Sequence, residues 1–332
     1  MKVLIVKRDK LGDLLLATPM LAHLKGSRPD AEVHLLANDY NAWVVEGNRH
    51  IDRLWIYSRV RHGGKVRIGA ALQNLALHWK LRGEHFDWVI VANGEHSRRA
   101  VRRALAVRGA RTVAYGAKNV SDPLPLAPAV HEMDRLLAML GPLGLEKPAA
   151  AIWPRYVLSN ESKAFADRWL KEGNLSQFVV LGLGARRQKK QPTTEQVLRW
   201  SAHFKQTWGL DTVFMWTPGR SDDPLYPGDD AVAQPVLDAH APHIHPFRGP
   251  ILEALGLIWR ARASIFPDSG LMHFAAASPG GVLGLFAESD VSPGPANWAP
   301  RGPKALWLEA KKAVAELPDA RVYERVERLA SL

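Results

Sequence analysis

Short apolar runs of strand length, each followed by a stretch of helical periodicity, recur along this chain and restrict it to one fold class. Val3 to Val6 is apolar throughout and is cut off sharply by the charged residues Lys7, Arg8, Asp9 and Lys10. That is the pattern of a strand buried on both faces. Residues 13–25 follow with Leu14, Ala17, Leu21 and Leu24 at helical spacing. Val33 to Ala37 reads as a second strand, and Trp88 to Ala92 as a third after the turn at Arg82-Gly83. Residues 97–107 return to helical spacing, and Thr112 to Tyr115 reads as another strand. Strands alternating with helices build a parallel sheet covered on both faces.

A Pro- and Ala-rich stretch at 117–130 reads as loop, and His131 to Leu140 as a helix stopped by Gly141-Pro142. Residues 145–160, with Pro148 and Pro154, read as a linker. The alternation then restarts. Helices are expected at 161–170, 193–208, 251–261 and 270–277, and strands at 178–183, 212–216, 264–266 and 282–286. The segment 218–230 reads as a long loop. The chain has 332 residues, enough for two domains. The expected division is an N-terminal Rossmann-like domain over residues 1–155 and a C-terminal one over 156–332. In open α/β units of this kind, ligands sit at the carboxyl ends of the strands.

Charge separates the halves. Residues 1–150 hold 23 Lys and Arg against 14 Asp and Glu, a net +9, whereas residues 151–332 hold 21 against 19. A basic half beside a near-neutral one points to an anionic partner: nucleic acid, a membrane surface or an acidic substrate. No apolar stretch is long enough to span a bilayer, and charges interrupt the N-terminal run too early for a signal peptide. A cytoplasmic location is therefore expected. The absence of cysteine excludes disulfides and thiolate metal sites. His240, His243 and His245 lie in Ala- and Pro-rich sequence with no acidic partner at ligand spacing, so no metal site is expected.

Three motifs are placed for chemistry. Lys7-Arg8-Asp9-Lys10-Leu11-Gly12-Asp13 follows the first strand and opens a helix. Gly12 allows close backbone approach, and Asp13 is either a functional carboxylate or simply a helix cap. Asp268-Ser269-Gly270-Leu271-Met272-His273 takes a strand through a tight turn into a helix of small residues. Its free N–H groups and the Ser269 hydroxyl suit a diphosphate, unless this is an ordinary βα turn with Asp268 as the helix cap. Arg186-Arg187-Gln188-Lys189-Lys190-Gln191-Pro192 follows another strand and could neutralise phosphates or be a solvated charge run.

These residues resemble glycosyltransferase family nine, the ADP-heptose:lipopolysaccharide heptosyltransferases. The opening strand with Leu11-Gly12-Asp13 and Thr18-Pro19 is similar to that family's start. So are Pro29-Asp30-Ala31-Glu32-Val33, Asn48-Arg49-His50-Ile51-Asp52 and Asn93-Gly94. The stretch from Asp268 to His273, followed by Leu285-Phe286, matches its second signature. The resemblance implies an α/β fold of GT-B architecture, two Rossmann-like domains facing a central cleft. The N-terminal domain would take the acceptor and the C-terminal domain the nucleotide sugar. It implies an inverting, metal-independent transfer of heptose from ADP-heptose to the inner core of lipopolysaccharide, with no cofactor.

On that resemblance Asp13 matches the general base and Lys189 the lysine that meets the donor phosphates, with Lys190 an alternative beside it. Gly12, Asp268, Ser269, Gly270 and His273 fall on the donor side. Asp222 or Asp223 stands where the family has a ribose-binding Glu. The family's Trp before the proline is Gln191 here. For the acidic glycolipid acceptor, at the inner membrane surface, the candidates are Arg59, Arg61, Lys65, Arg67 and Asn93. Arg98, Arg99, Arg102 and Arg103 form two further basic rows at i,i+4 on one helix, either a second contact for the acceptor or a solvated or membrane-facing surface. Another nucleotide sugar, in surface-polysaccharide synthesis, is the alternative within the family. The protein-modifying branch carries a cysteine cluster this chain lacks. Outside the family, a basic nucleic-acid-binding protein would fit the net charge of +11 but not the missing binding motif; no nucleic acid partner is expected.

Overall fold

The computed structural model describes residues 1–62, 65–93, 96–126, 130–185, 187–223, 228–292 and 294–331. The chain divides into two compact units, Met1–Val157 and Leu158–Leu332.

The first unit runs β1 (Lys2–Val6), α1 (Leu11–Leu15), α2 (Thr18–Ser27), β2 (Glu32–Asn38) and β3 (Arg53–Tyr57). A two-stranded ribbon of β4 (Arg61–His62) and β5 (Lys65–Val66) leads into α3 (Ile68–Gly83). Then come β6 (Trp88–Val91), α4 (Arg98–Val107), β7 (Arg111–Tyr115), β8 (Asp122–Leu124) and α5 (Glu132–Ala138). Its six-stranded sheet has the order β3-β2-β1-β6-β7-β8, with every pairing parallel. The central strands are buried on both faces, which is why β1 reads VLIV without alternation. Leu4, Val6, Leu36, Val89 and Val91 share one core with Leu81, Ala100 and Ala104 from the covering helices.

The expected single helix over 13–25 is two helices. Pro19 sits at the start of α2, where it lacks an N–H to continue a helix but suits a helix opening. The tight bonds Leu16 N–H to Gly12 O (2.9 Å) and Ala17 N–H to Leu14 O (3.1 Å) close α1 just before it. The expected loop at 117–130 contains β8, whose Pro123 is tolerated because this strand lies at the sheet edge.

The second unit opens with α6 (Asn160–Glu172), capped by the Ser159 hydroxyl accepting from the Ser162 N–H at 3.1 Å. It continues β9 (Phe178–Gly182), α7 (Thr194–Trp208), β10 (Asp211–Met215), α8 (Asp230–Asp238), β11 (Ile244–Phe247) and α9 (Ile251–Arg260). It ends β12 (Ala263–Pro267), α10 (Gly270–Ala276), β13 (Val282–Ala287), α11 (Pro295–Trp298), β14 (Ala305–Ala310) and α12 (Asp319–Ser331). Thr193 and Gln196 cap α7 reciprocally, and Gly209 ends it in the left-handed conformation. The sheet order is β11-β10-β9-β12-β13-β14, again parallel throughout.

The two units therefore share one topology. In each, the first three sheet strands are laid down in one direction from the centre and the next three in the other. The direction reverses between β1 and β6 in the first sheet and between β9 and β12 in the second. At such a switch point the flanking loops splay apart at the carboxyl edge and leave room for a ligand.

Candidate active site

In the first unit the switch point is framed by the loop after β1 and the residues that follow β6. Asn93, next to β6, donates from Nδ2 to both carboxylate oxygens of Asp9 at 2.6 Å. Lys7 continues the line of β1 with its side chain fully buried. Its Nζ lies 3.1 Å from both Asp9 Oδ2 and Glu132 Oε1, the latter from the first turn of α5. Burial opposes the Lys7 charge, but the Asp9, Glu132 and Asp13 carboxylates outweigh it and raise its pKa above the ordinary lysine value. The loop backbone is pinned from β2. Asn38 Nδ2 donates to the Arg8 carbonyl at 3.0 Å and Asn41 Nδ2 to the Asp9 carbonyl at 2.9 Å.

Asp13 stands in the first turn of α1, beside buried Gly12, and accepts a hydrogen bond from the Lys10 N–H at 3.2 Å. Burial pushes its carboxyl up to about 6; Lys7 pulls it down, and Asp9 and Glu132 push it further up. The result is a carboxylate that is ionised at neutral pH and basic enough to take a proton.

The second switch point carries the matching arrangement. A single helical turn over Gln188–Lys190 follows β9, and Asp268 follows β12. Lys190 Nζ meets Asp268 Oδ2 at 2.8 Å across the gap, with only 7% of the Lys190 side chain exposed. Ser269 precedes α10, and its hydroxyl oxygen is buried with no hydrogen-bond partner among the described residues. Gly270 begins the helix. His273 is buried in it, its ring 6.4 Å from that of Trp298. Gln191 Nε2 donates to the Ala185 carbonyl at 2.7 Å and to Asp229 Oδ1 at 2.5 Å. Burial raises the Asp229 carboxyl against the pull of the Thr217 N–H and Gln191.

Other expected site residues stand apart from these clusters. Lys189 is 66% exposed and pairs with Glu288 at 3.3 Å, beside Arg187 at 3.6 Å. Asp222 is exposed and paired with its neighbour Arg220 at 2.7 Å. Arg59 pairs with Asp39 at 3.0 Å, and Arg67 approaches the same carboxylate at 3.8 Å. The ribbon β4–β5 brings these two arginines together by pairing Arg61 with Val66 and His62 with Lys65. The side chains of Arg61 and Lys65, and the residues Gly94 and Arg186, lie outside the described part of the chain.

Sequence reading missed Lys7, Asp9 and Glu132 as parts of one cluster. Charged residues immediately after a wholly buried strand were the available signal for the first two. Glu132 arrives from 125 positions away in sequence and carried none. The grouping Glu32, His34 and Glu84 has metal-ligand proximity. It lies at the amino edge of the first sheet, where Lys2 already pairs with Glu84 at 2.8 Å and Glu32 at 3.4 Å. The Nδ1 of His34 accepts from the Trp55 indole at 3.1 Å.

Comparison with known proteins decides the assignment. The sequence pattern of glycosyltransferase family 9 (heptosyltransferase) matches residues 74–312. The chain belongs to glycosyltransferase family 9. This family 9 enzyme is 25% identical over 297 residues to lipopolysaccharide heptosyltransferase 3 of Escherichia coli K12, covering 84% of this chain and 80% of that one. Its fold is similar to that of a family 9 glycosyl transferase from Veillonella parvula, with a TM-score of 0.82, 18% identity, and 99% and 97% of the two chains covered. It is also similar to E. coli heptosyltransferase WaaC with ADP, with a TM-score of 0.74, 17% identity, and 99% and 100% covered. The family 9 enzyme is thus a glycosyltransferase with the two-domain α/β fold of the GT-B class.

Proposed function

We propose that this family 9 enzyme transfers heptose, with inversion, from ADP-heptose to an acidic inner-core lipopolysaccharide acceptor. The observation that carries the reading is the Lys190–Asp268 pair bridging the second switch point, beside a buried Ser269 hydroxyl that has no hydrogen-bond partner among the described residues. A solved relative of the same fold is a complex with ADP. In this reading the C-terminal domain takes the donor and the N-terminal domain the acceptor.

In this reading the Asp13 carboxylate removes the acceptor hydroxyl proton as the oxygen attacks the anomeric carbon. The bond from that carbon to the diphosphate breaks, and ADP leaves with the bonding electron pair. Lys190, the Ser269 hydroxyl and the N–H groups opening α10 meet the charge that develops on the diphosphate. We place Lys190 ahead of Lys189 as the phosphate cation, because it is buried at the switch point while Lys189 is exposed and paired with Glu288. The N-terminal cations, Arg59, Arg61, Lys65 and Arg67 among them, would hold the carboxylates and phosphates of the acceptor. Transfer from another nucleotide sugar is the second reading. Gln191 favours it, since it occupies the family's tryptophan position and is committed to Asp229.

A thermal-shift screen with ADP, GDP, UDP and CDP tests the donor. ADP should give the largest stabilisation, and Lys190→Ala should remove most of it while Lys189→Ala keeps it. A larger shift with another nucleotide would move the reading to that donor.

A further inference from the structure

Helix α3 has two apolar faces, and only one of them is used in the fold. Ala70, Asn74 and Leu81 are buried, and Leu77 packs on the same core. Ile68, Leu72, Leu75 and Trp79 fall within about 60° of one another on the roughly opposite side, at 100° per residue. They are 74%, 64%, 56% and 65% exposed. Four large apolar side chains in one row on a soluble surface mark a contact with something apolar.

The charge around the row says what that is. Helix α3 contains no acidic residue, and Arg82 lies over the Trp79 ring at 5.1 Å. On the flank that carries His78, a cavity of about 300 Å³ is lined by Arg8, His78, Arg99, Arg102, Arg103 and Ala106. None of these four arginines pairs with a carboxylate among the described residues. Arg8 donates to the Tyr57 hydroxyl at 2.9 Å, and Arg103 stacks on that ring at 4.0 Å. One terminal nitrogen of Arg103 and Nδ1 of His78 are buried without a hydrogen-bond partner among the described residues. Four guanidinium groups gathered around one cavity repel one another unless an anion enters it.

We infer that the outer face of α3, with the arginine cavity beside it, docks this enzyme on an anionic phospholipid surface. Ile68, Leu72, Leu75 and Trp79 enter the boundary between headgroups and acyl chains, and the cavity takes a headgroup phosphate. The inference rests on the reading of a glycolipid acceptor for its purpose: Arg8 and Asp9 lie in the loop that leads into α1, whose first turn carries Asp13, so docking brings the membrane beside the candidate base.

Co-sedimentation of the full chain with vesicles tests it. The protein should bind vesicles of phosphatidylglycerol with phosphatidylethanolamine and pass over vesicles of phosphatidylcholine alone. Arg99→Ala with Arg102→Ala should weaken binding about twenty-fivefold, about fivefold for each basic residue near the surface. Leu72→Ser with Trp79→Ser should weaken it at least tenfold. All four positions are exposed, and an unchanged thermal transition and ADP shift would show that the variants fold. Wild-type protein that ignores anionic vesicles, or variants that bind them as well as wild type, would overturn the inference. So would a dimer in solution that the Leu72/Trp79 variant dissociates without loss of vesicle binding, since the row would then be a self-association face. An ADP shift without vesicle binding sinks this inference alone; vesicle binding without any nucleotide shift sinks the donor reading alone.

Discussion

Asp13 occupies a position where two effects on a carboxylate oppose each other. The first turn of a helix favours its charge, and burial disfavours it. Burial wins, and the carboxyl sits at about 6. Two consequences follow, of opposite sign for activity and stability. A base must be deprotonated, so kcat/KM should be flat above about pH 6 and fall roughly tenfold per unit below it. A pH–rate profile level down to pH 5 would remove Asp13 from the base role. For stability, the folded carboxyl holds its proton more tightly than the unfolded one, so ionisation costs stability above pH 6. That cost is relieved as the pH falls through 6 toward the ordinary carboxylate value of 3.8. Asp13→Asn should therefore be inactive yet more stable at pH 7, by up to about 3 kcal/mol in a denaturant titration. On the donor side, Lys190→Ala should weaken ADP binding at least about tenfold, and Lys189→Ala only a few fold, by calorimetry. Sequence alone left these two lysines open, because both are charged and adjacent. The fold separates them by burying one against Asp268 and leaving the other on the surface.

At the scale of elements, position in the sheet explains what could be read and what could not. The central strands β1, β6, β9, β12 and β13 are buried on both faces and announce themselves as apolar runs. The edge strands β8 and β11 contain Pro123 and Pro246, and β3 carries exposed Arg53 and Ile56, so none shows a clean pattern. Helix α3 escaped notice for the opposite reason: apolar residues on two faces cancel the periodicity that one buried face would give. Close helix packing gives a further test. Gly256 lies in α9 where that helix meets α6, and a Cβ there would fall inside the van der Waals envelope of the Ser162 carbonyl oxygen. Gly256→Ala gains about 1 kcal/mol of helix propensity and loses more to overpacking. The net change should be a destabilisation of about 1–2 kcal/mol, seen as a lower thermal midpoint; a stabilised variant would mean that the helix contact is looser than described.

For the whole molecule, one strand order serves twice, and each copy places polar residues from distant sequence at its switch point. Asp9 meets Asn93 in the first sheet and Lys190 meets Asp268 in the second. The motifs at both places were legible because each follows a buried strand directly. The pairings were not, because they span 84 and 78 positions and depend on which strands become neighbours. The uneven charge was legible as a sum but not as a surface; the fold concentrates part of it in the cavity formed by Arg8 and α4. The most direct measurement is mass spectrometry of a heptose-deficient lipopolysaccharide core incubated with ADP-heptose and the purified protein. Wild type should add one heptosyl residue per acceptor and release one ADP for each, and Asp13→Asn should do neither. Glycolipid left unmodified by wild type, or heptosylated as fast by Asp13→Asn, would contradict the account.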